Sequence, residues 1–154
     1  MSTSSSSAGR AAGSSAPAGT SYVGERLGLP AEGPGAVASW GRRILALSVD
    51  WVASLLVTLM LTGGAALGSH GWQVWLPMLV FLVEASLLTP LAGGSFGQVL
   101  TRLAVVHPNG RPVSLLAALL RTALICLVVP PLIYNKDRRG LHDLVLGTVT
   151  VRRR

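Results

Sequence analysis

The sequence predicts an all-α integral membrane protein with two transmembrane helices, a bent or re-entrant third apolar segment, and a small cytoplasmic β element. Three observations predict it. First, half of the 154 residues are hydrophobic and only 12% are charged, whereas soluble domains carry about 25% charged residues; mean hydropathy is +0.55. Second, two long runs, about 44–67 and 72–91, each contain a single charge, and about 20 helical residues at 1.5 Å rise cross a hydrocarbon core of about 30 Å. Third, basic residues gather at the ends of these runs. Arg42 and Arg43 precede the first, Arg102 and Arg111 follow the second, and the loop Gly63–Gly71 between them has neither Lys nor Arg. Cytoplasmic loops concentrate Lys and Arg, which places both ends of this hairpin in the cytoplasm.

Residues 1–38 are rich in Ser, Ala, Gly and Pro, lack apolar periodicity and read as a disordered cytoplasmic tail. No basic stretch followed by an apolar core stands there, so a signal peptide is not expected. Within the tail, Tyr22–Pro30 is less simple in composition, and a short docking motif is the alternative to plain linker. The membrane domain then occupies 39–154. The first span has Asp50 as its only charge. The second begins at Trp72 and Trp75, aromatic residues suited to a membrane interface. Its prolines, Pro77 and Pro90, stand near its ends, where they are most easily accommodated.

Residues 93–98 form a glycine-rich turn containing Gly94 and Gly97. It lacks the Gly-Lys-Ser/Thr of a phosphate loop, and no nucleotide or other cofactor is expected. Leu103–Val106 reads as a strand, and Pro108-Asn109-Gly110 as a turn. Thr148–Val151 alternates like a second strand and needs a partner; residues 103–106 are the obvious one. Between them lies the third apolar segment, 114–134, interrupted by Arg121 and broken by Pro130-Pro131. A straight crossing would leave Arg152-Arg153-Arg154 outside and separate the strands. A bent or re-entrant path with a cytoplasmic C-terminus is therefore preferred to three spans.

The formal charge is +7, from 13 Lys/Arg and 6 Asp/Glu. The basic residues flank apolar runs instead of forming a folded patch, so topology and anionic lipid account for them better than nucleic acid does. Cys126 is the only cysteine, which excludes an intrachain disulfide. His142-Asp143 lacks further ligands at suitable spacing for a metal and reads as a turn-stabilising pair. No nucleophile–base pair, metal cluster or cofactor loop is recognisable, so an enzyme is not expected.

The ionisable residues inside the apolar runs share one depth. Asp50 lies seven residues inward from Arg43, Glu84 seven before Leu91, and Arg121 seven after Ser114, each about 10 Å from the same surface. Arg121 is the expected counter-ion for Asp50 or Glu84, because Arg43 stands too far along the helix axis from Asp50. Two carboxylates and one arginine leave an unbalanced charge. The cluster is either a structural ion pair that fixes helix register or a site for a proton or monovalent cation.

These residues and their order resemble the RDD family of membrane proteins, named for one arginine and two aspartates. The matching positions are Arg43 (or Arg42), Asp50 in the first span, and Asp143 in Leu141-His142-Asp143-Leu144. The Gly94–Gln98 turn before the 103–106 strand and the closing Gly147–Val151 also match, although Gln98 stands where family members often have Lys. The tail resembles that of actinobacterial members. The resemblance implies a bacterial inner-membrane protein and, more weakly, transport. Its expected partners are the lipid bilayer, a second copy or another membrane protein, and a proton or monovalent cation. The alternative is a membrane adaptor or assembly protein with no transport activity of its own.

Overall fold

A computed structural model describes residues 22–68, 70–127 and 139–153. Helix α1, Trp40–Thr62, is followed by two 3-10 turns, Ala65–Gly68 and Trp72–Trp75, and then by α2, Leu76–Ala92. Next come the short helix α3, Phe96–Leu100, strand β1, Leu103–Val106, helix α4, Leu115–Cys126, a one-turn helix α5, Leu141–Val145, and strand β2, Val149–Arg152.

Helix α1 spans 23 residues, about 34 Å at helical rise, and its mean hydropathy reaches 2.2. It starts four residues before the expected first span, so Arg42 and Arg43 lie in its first turn. It also stops earlier than Leu67, because Gly63 takes the left-handed conformation at φ 58° and its N–H closes on the Leu59 carbonyl. That geometry suits a glycine terminator. The stretch Trp72–Ala92 is the second segment long and apolar enough to cross a membrane. Its first turn is 3-10, and Pro77 occupies the start of α2, where a missing N–H costs nothing.

Burial is reversed relative to a soluble bundle. The inward face of α1 is Ala46, Asp50, Ser54 and Thr58, one residue every four, and that of α2 is Phe81, Ala85, Ser86 and Thr89. The large apolar side chains face outward, Met60 at 83% and Leu61 at 76% exposure among them. Small and hydroxyl-bearing residues let helices approach closely where the surroundings are as apolar as leucine. Helix α2 packs against both α1 and α4, and Trp51 stacks on Phe81 with ring centroids 6.3 Å apart.

The expected pairing of the two strands is present. β1 and β2 are antiparallel, with Val105 opposite Thr150 and Ala104 opposite Val151. The other edge of β2 is covered by the chain just before α1. Gly35 N–H donates to Arg152, Arg152 N–H to Ala36, and Ala38 N–H to Thr150, while Val37 bridges Val151. Within the stretch expected to be a disordered tail, residues 22–38 are described, and Ala36 and Ala38 are buried. The short strand-like stretch 35–38 takes its hydrogen bonds from β2. Residues 1–21 lie outside the described residues.

The third apolar segment also differs in extent. α4 has 12 residues, about 18 Å and too short to cross a bilayer; Pro130-Pro131 lie outside the described residues. The chain leaves the sheet at Val113, which packs with Val105 and Ala118. By Arg139 it is back there, donating to the Thr148 carbonyl beside β2.

Candidate functional site

The three residues expected to form one layer are divided between two centres. The first is built around α3. Its sequence Ser95-Phe96-Gly97-Gln98 is a capping box: the Ser95 hydroxyl accepts from Gln98 N–H, and the Gln98 side chain accepts from Ser95 N–H at 3.1 Å. The open end of this helix points at two carboxylates. Ser95 Oγ donates to Asp50 Oδ2 at 2.6 Å, Gly97 N–H donates to Asp50 Oδ1, and Phe96 N–H donates to Glu84 Oε1 at 2.6 Å. Backbone donors at a helix start attract negative charge, so α3 offsets part of the cost of Asp50, which is only 3% exposed.

Gly97 makes this contact possible. A Cβ there would enter the van der Waals shell of the Ala46 carbonyl oxygen and lie 2.9 Å from Asp50 Oδ1. Helix α3 therefore rests directly on the backbone of α1. The expected glycine turn is a helix start, and its two glycines differ in role: Gly97 is the contact with α1, while Gly94 is buried beside Gln98.

The second centre is Asp143 in α5, which is fully buried. Arg121 Nε donates to its Oδ1 at 3.0 Å and Arg43 Nη1 to its Oδ2 at 3.1 Å. The Thr148 and Thr150 hydroxyls donate to the same two oxygens, and His142 Nε2 stands 3.6 Å from Oδ1. Arg121 Nη2 reaches Thr150 Oγ1, and Arg43 Nη2 reaches the Thr150 carbonyl. Arg139 closes the turn by donating to the carbonyls of Thr148 and Asp143. Burial pushes the Asp143 carboxyl up, but the charges of Arg121, His142 and Arg43, with the Arg121 hydrogen bond, outweigh it and hold the group well below the usual carboxylate range.

Two expectations are corrected here. Arg121 is not bonded to Asp50 or Glu84; it spends its Nε on Asp143. Arg43 is more than a marker of topology, since its guanidinium enters the same centre, whereas Arg42 stays exposed. Depth along a helix carries no information about which direction α5 approaches from. Asp143, expected in a turn-stabilising pair with His142, is bonded to arginines of α1 and α4. Ser95 and Gln98 were missed as site residues, although the Ser-x-x-Gln spacing of a capping box was present to find them.

A cavity of about 130 Å³ joins the two centres. Its polar wall includes Arg43, Asp50, Ser95, Gln98, Arg121 and His142, and its apolar wall includes Ile44, Leu47 and Phe81. A site of that size with several polar partners has room for a few waters. Asp50 thus faces the cavity on one side and the α3 donors on the other. Among the described residues no group of His, Cys, Asp and Glu is arranged to hold a metal.

The sequence profile of the RDD family matches residues 37–147. The match opens at the residue that bridges β2 and includes both carboxylate centres. No curated protein and no solved structure matches the chain.

Proposed function

The chain belongs to the RDD family of membrane proteins, and on that premise we propose that it is a multi-pass inner-membrane component that moves protons or monovalent cations through Asp50 and Glu84. α1 and Trp72–Ala92 are its spans, and α4 opens a re-entrant segment. The sheet binds residues 35–38, 103–106 and 149–152 together, so the two termini of the membrane domain share the cytoplasmic face that Arg42, Arg102 and Arg111 mark.

One observation carries this reading. Asp50 is buried in a long apolar helix, lines the cavity, and has no guanidinium bonded to it among the described residues. Asp143 holds Arg121 and Arg43 and is locked by them; Asp50 and Glu84 are met only by neutral donors at the start of one short helix. Two carboxylates held by neutral donors alone exchange a proton or bind a cation far more readily than a carboxylate clamped between two arginines. Two spans and one short helix enclose little wall, so a second copy completes the pathway.

Everted membrane vesicles test it. Cells expressing the wild type should show sodium- or potassium-driven proton movement above that of vesicles lacking the protein, and Asp50→Asn should return it to that background. Wild-type flux at background would overturn the reading and leave the membrane adaptor.

A further inference from the structure

Two arginines are held side by side at the end of the sheet. Arg153 N–H donates to the Arg102 carbonyl at 2.8 Å, continuing the ladder one step beyond the Leu103–Arg152 pair. Like charges directly opposite each other across strands are destabilising. Arg102 is, moreover, the one non-glycine residue with positive φ among the described residues, at 56°, a conformation that disfavours an L side chain. Neither guanidinium has an ion pair or hydrogen bond within the described residues. Arg153 lies over Gly93, the residue that ends α2, where the helix dipole favours a cation; Arg102 has no such compensation. The fold thus places two arginines at opposite ladder positions, one of them with strained backbone, beside the end of α2.

We propose that Arg102 and Arg153 form a headgroup site for an anionic phospholipid. A phosphodiester placed between them turns the repulsion into two charge-assisted contacts. Lipid, rather than free phosphate, is the source of that phosphate because exposed apolar side chains stand close along the chain to Arg102 and to Gly93. Leu91, in the last turn of α2, is 81% exposed, and Leu100 and Phe96 of α3 are 64% and 45% exposed. Acyl chains cover such residues and a small ion does not. The site is separate from the Asp50 cavity and stands whether or not the protein moves ions.

The purified full-length chain in neutral detergent, titrated with phosphatidylglycerol or phosphatidylcholine and read by native mass spectrometry, tests the proposal. An arginine near an anionic headgroup contributes about fivefold in affinity. Wild type should prefer phosphatidylglycerol by roughly 25-fold, Arg102→Gln and Arg153→Gln should each lose about fivefold, and the double variant should lose the preference. Arg26→Gln, an exposed charge in the preceding segment, should leave it intact. Arg102→Gly separates binding from folding: glycine suits φ 56°, so this variant should melt no lower than wild type yet bind phosphatidylglycerol about fivefold more weakly. A preference retained in the double variant, or absent from the wild type, would overturn the site. Displacement of phosphatidylglycerol by equimolar inorganic phosphate would overturn the assignment to lipid.

Discussion

Replacing Asp143 by asparagine leaves two guanidinium groups, from α1 and α4, without their shared carboxylate in a largely buried space. Removing one partner of a buried ion pair costs about 3–5 kcal/mol, because the remaining charge stays desolvated. Asp143→Asn is therefore expected to lower the thermal midpoint in detergent strongly, whereas Asp50→Asn, which leaves only neutral donors behind, should lower it far less. The pH dependence follows from the depressed carboxyl. Its stabilisation is complete above the unfolded aspartate value of about 3.9 and is lost as pH falls from there toward the lower folded value. Wild-type melting temperature should drop on acidification below about pH 4, and Asp143→Asn, already without the charge, should show a shallower limb. Equal acid limbs in the two proteins would contradict the assignment.

Helix α3 has five residues, far below the length at which an isolated helix persists. Its stability comes from its capping box and from contact with α1 through Gly97. Gly97→Ala should force α3 away from the Ala46 carbonyl and remove the Gly97 N–H from Asp50. Overpacking of this kind costs about 1–3 kcal/mol, and the measurable result is a lower melting temperature together with faster hydrogen exchange at the amides of residues 96–98. Unchanged exchange there would mean that α3 does not depend on α1. Much of the element layer was legible beforehand. The two spans follow from uninterrupted apolar runs, and the β1–β2 pairing follows from alternation plus the need of a lone strand for a partner. What escaped was short: α3, α5 and the strand-like stretch 35–38. Each is too brief to show a period, and each exists because a neighbour supplies its hydrogen bonds. Partner choice for Arg121 escaped for the same reason, since it depends on α5 folding back from beyond Pro130-Pro131.

At the scale of the molecule, one small sheet and the bridge at Val37 gather three distant stretches of chain. They bring the start of α1, the end of α2 and residues 149–153 together, on the side that the proposed topology makes cytoplasmic. A single cysteine introduced by Arg154→Cys in a Cys126→Ala background should react with a membrane-impermeant maleimide in everted vesicles and not in intact cells. Labelling from the outside of intact cells would contradict the re-entrant path of the third segment. The same arrangement separates an aspartate locked by two arginines from one that lines the cavity with neutral donors only, and that separation is the basis of the proposed ion site. The most direct measurement is proton flux into liposomes containing only the purified protein, under an imposed sodium or potassium gradient. The account predicts flux for wild type, none above protein-free liposomes for Asp50→Asn, and a large reduction for Glu84→Gln. Equal flux from wild type and Asp50→Asn, or none from either, would contradict it.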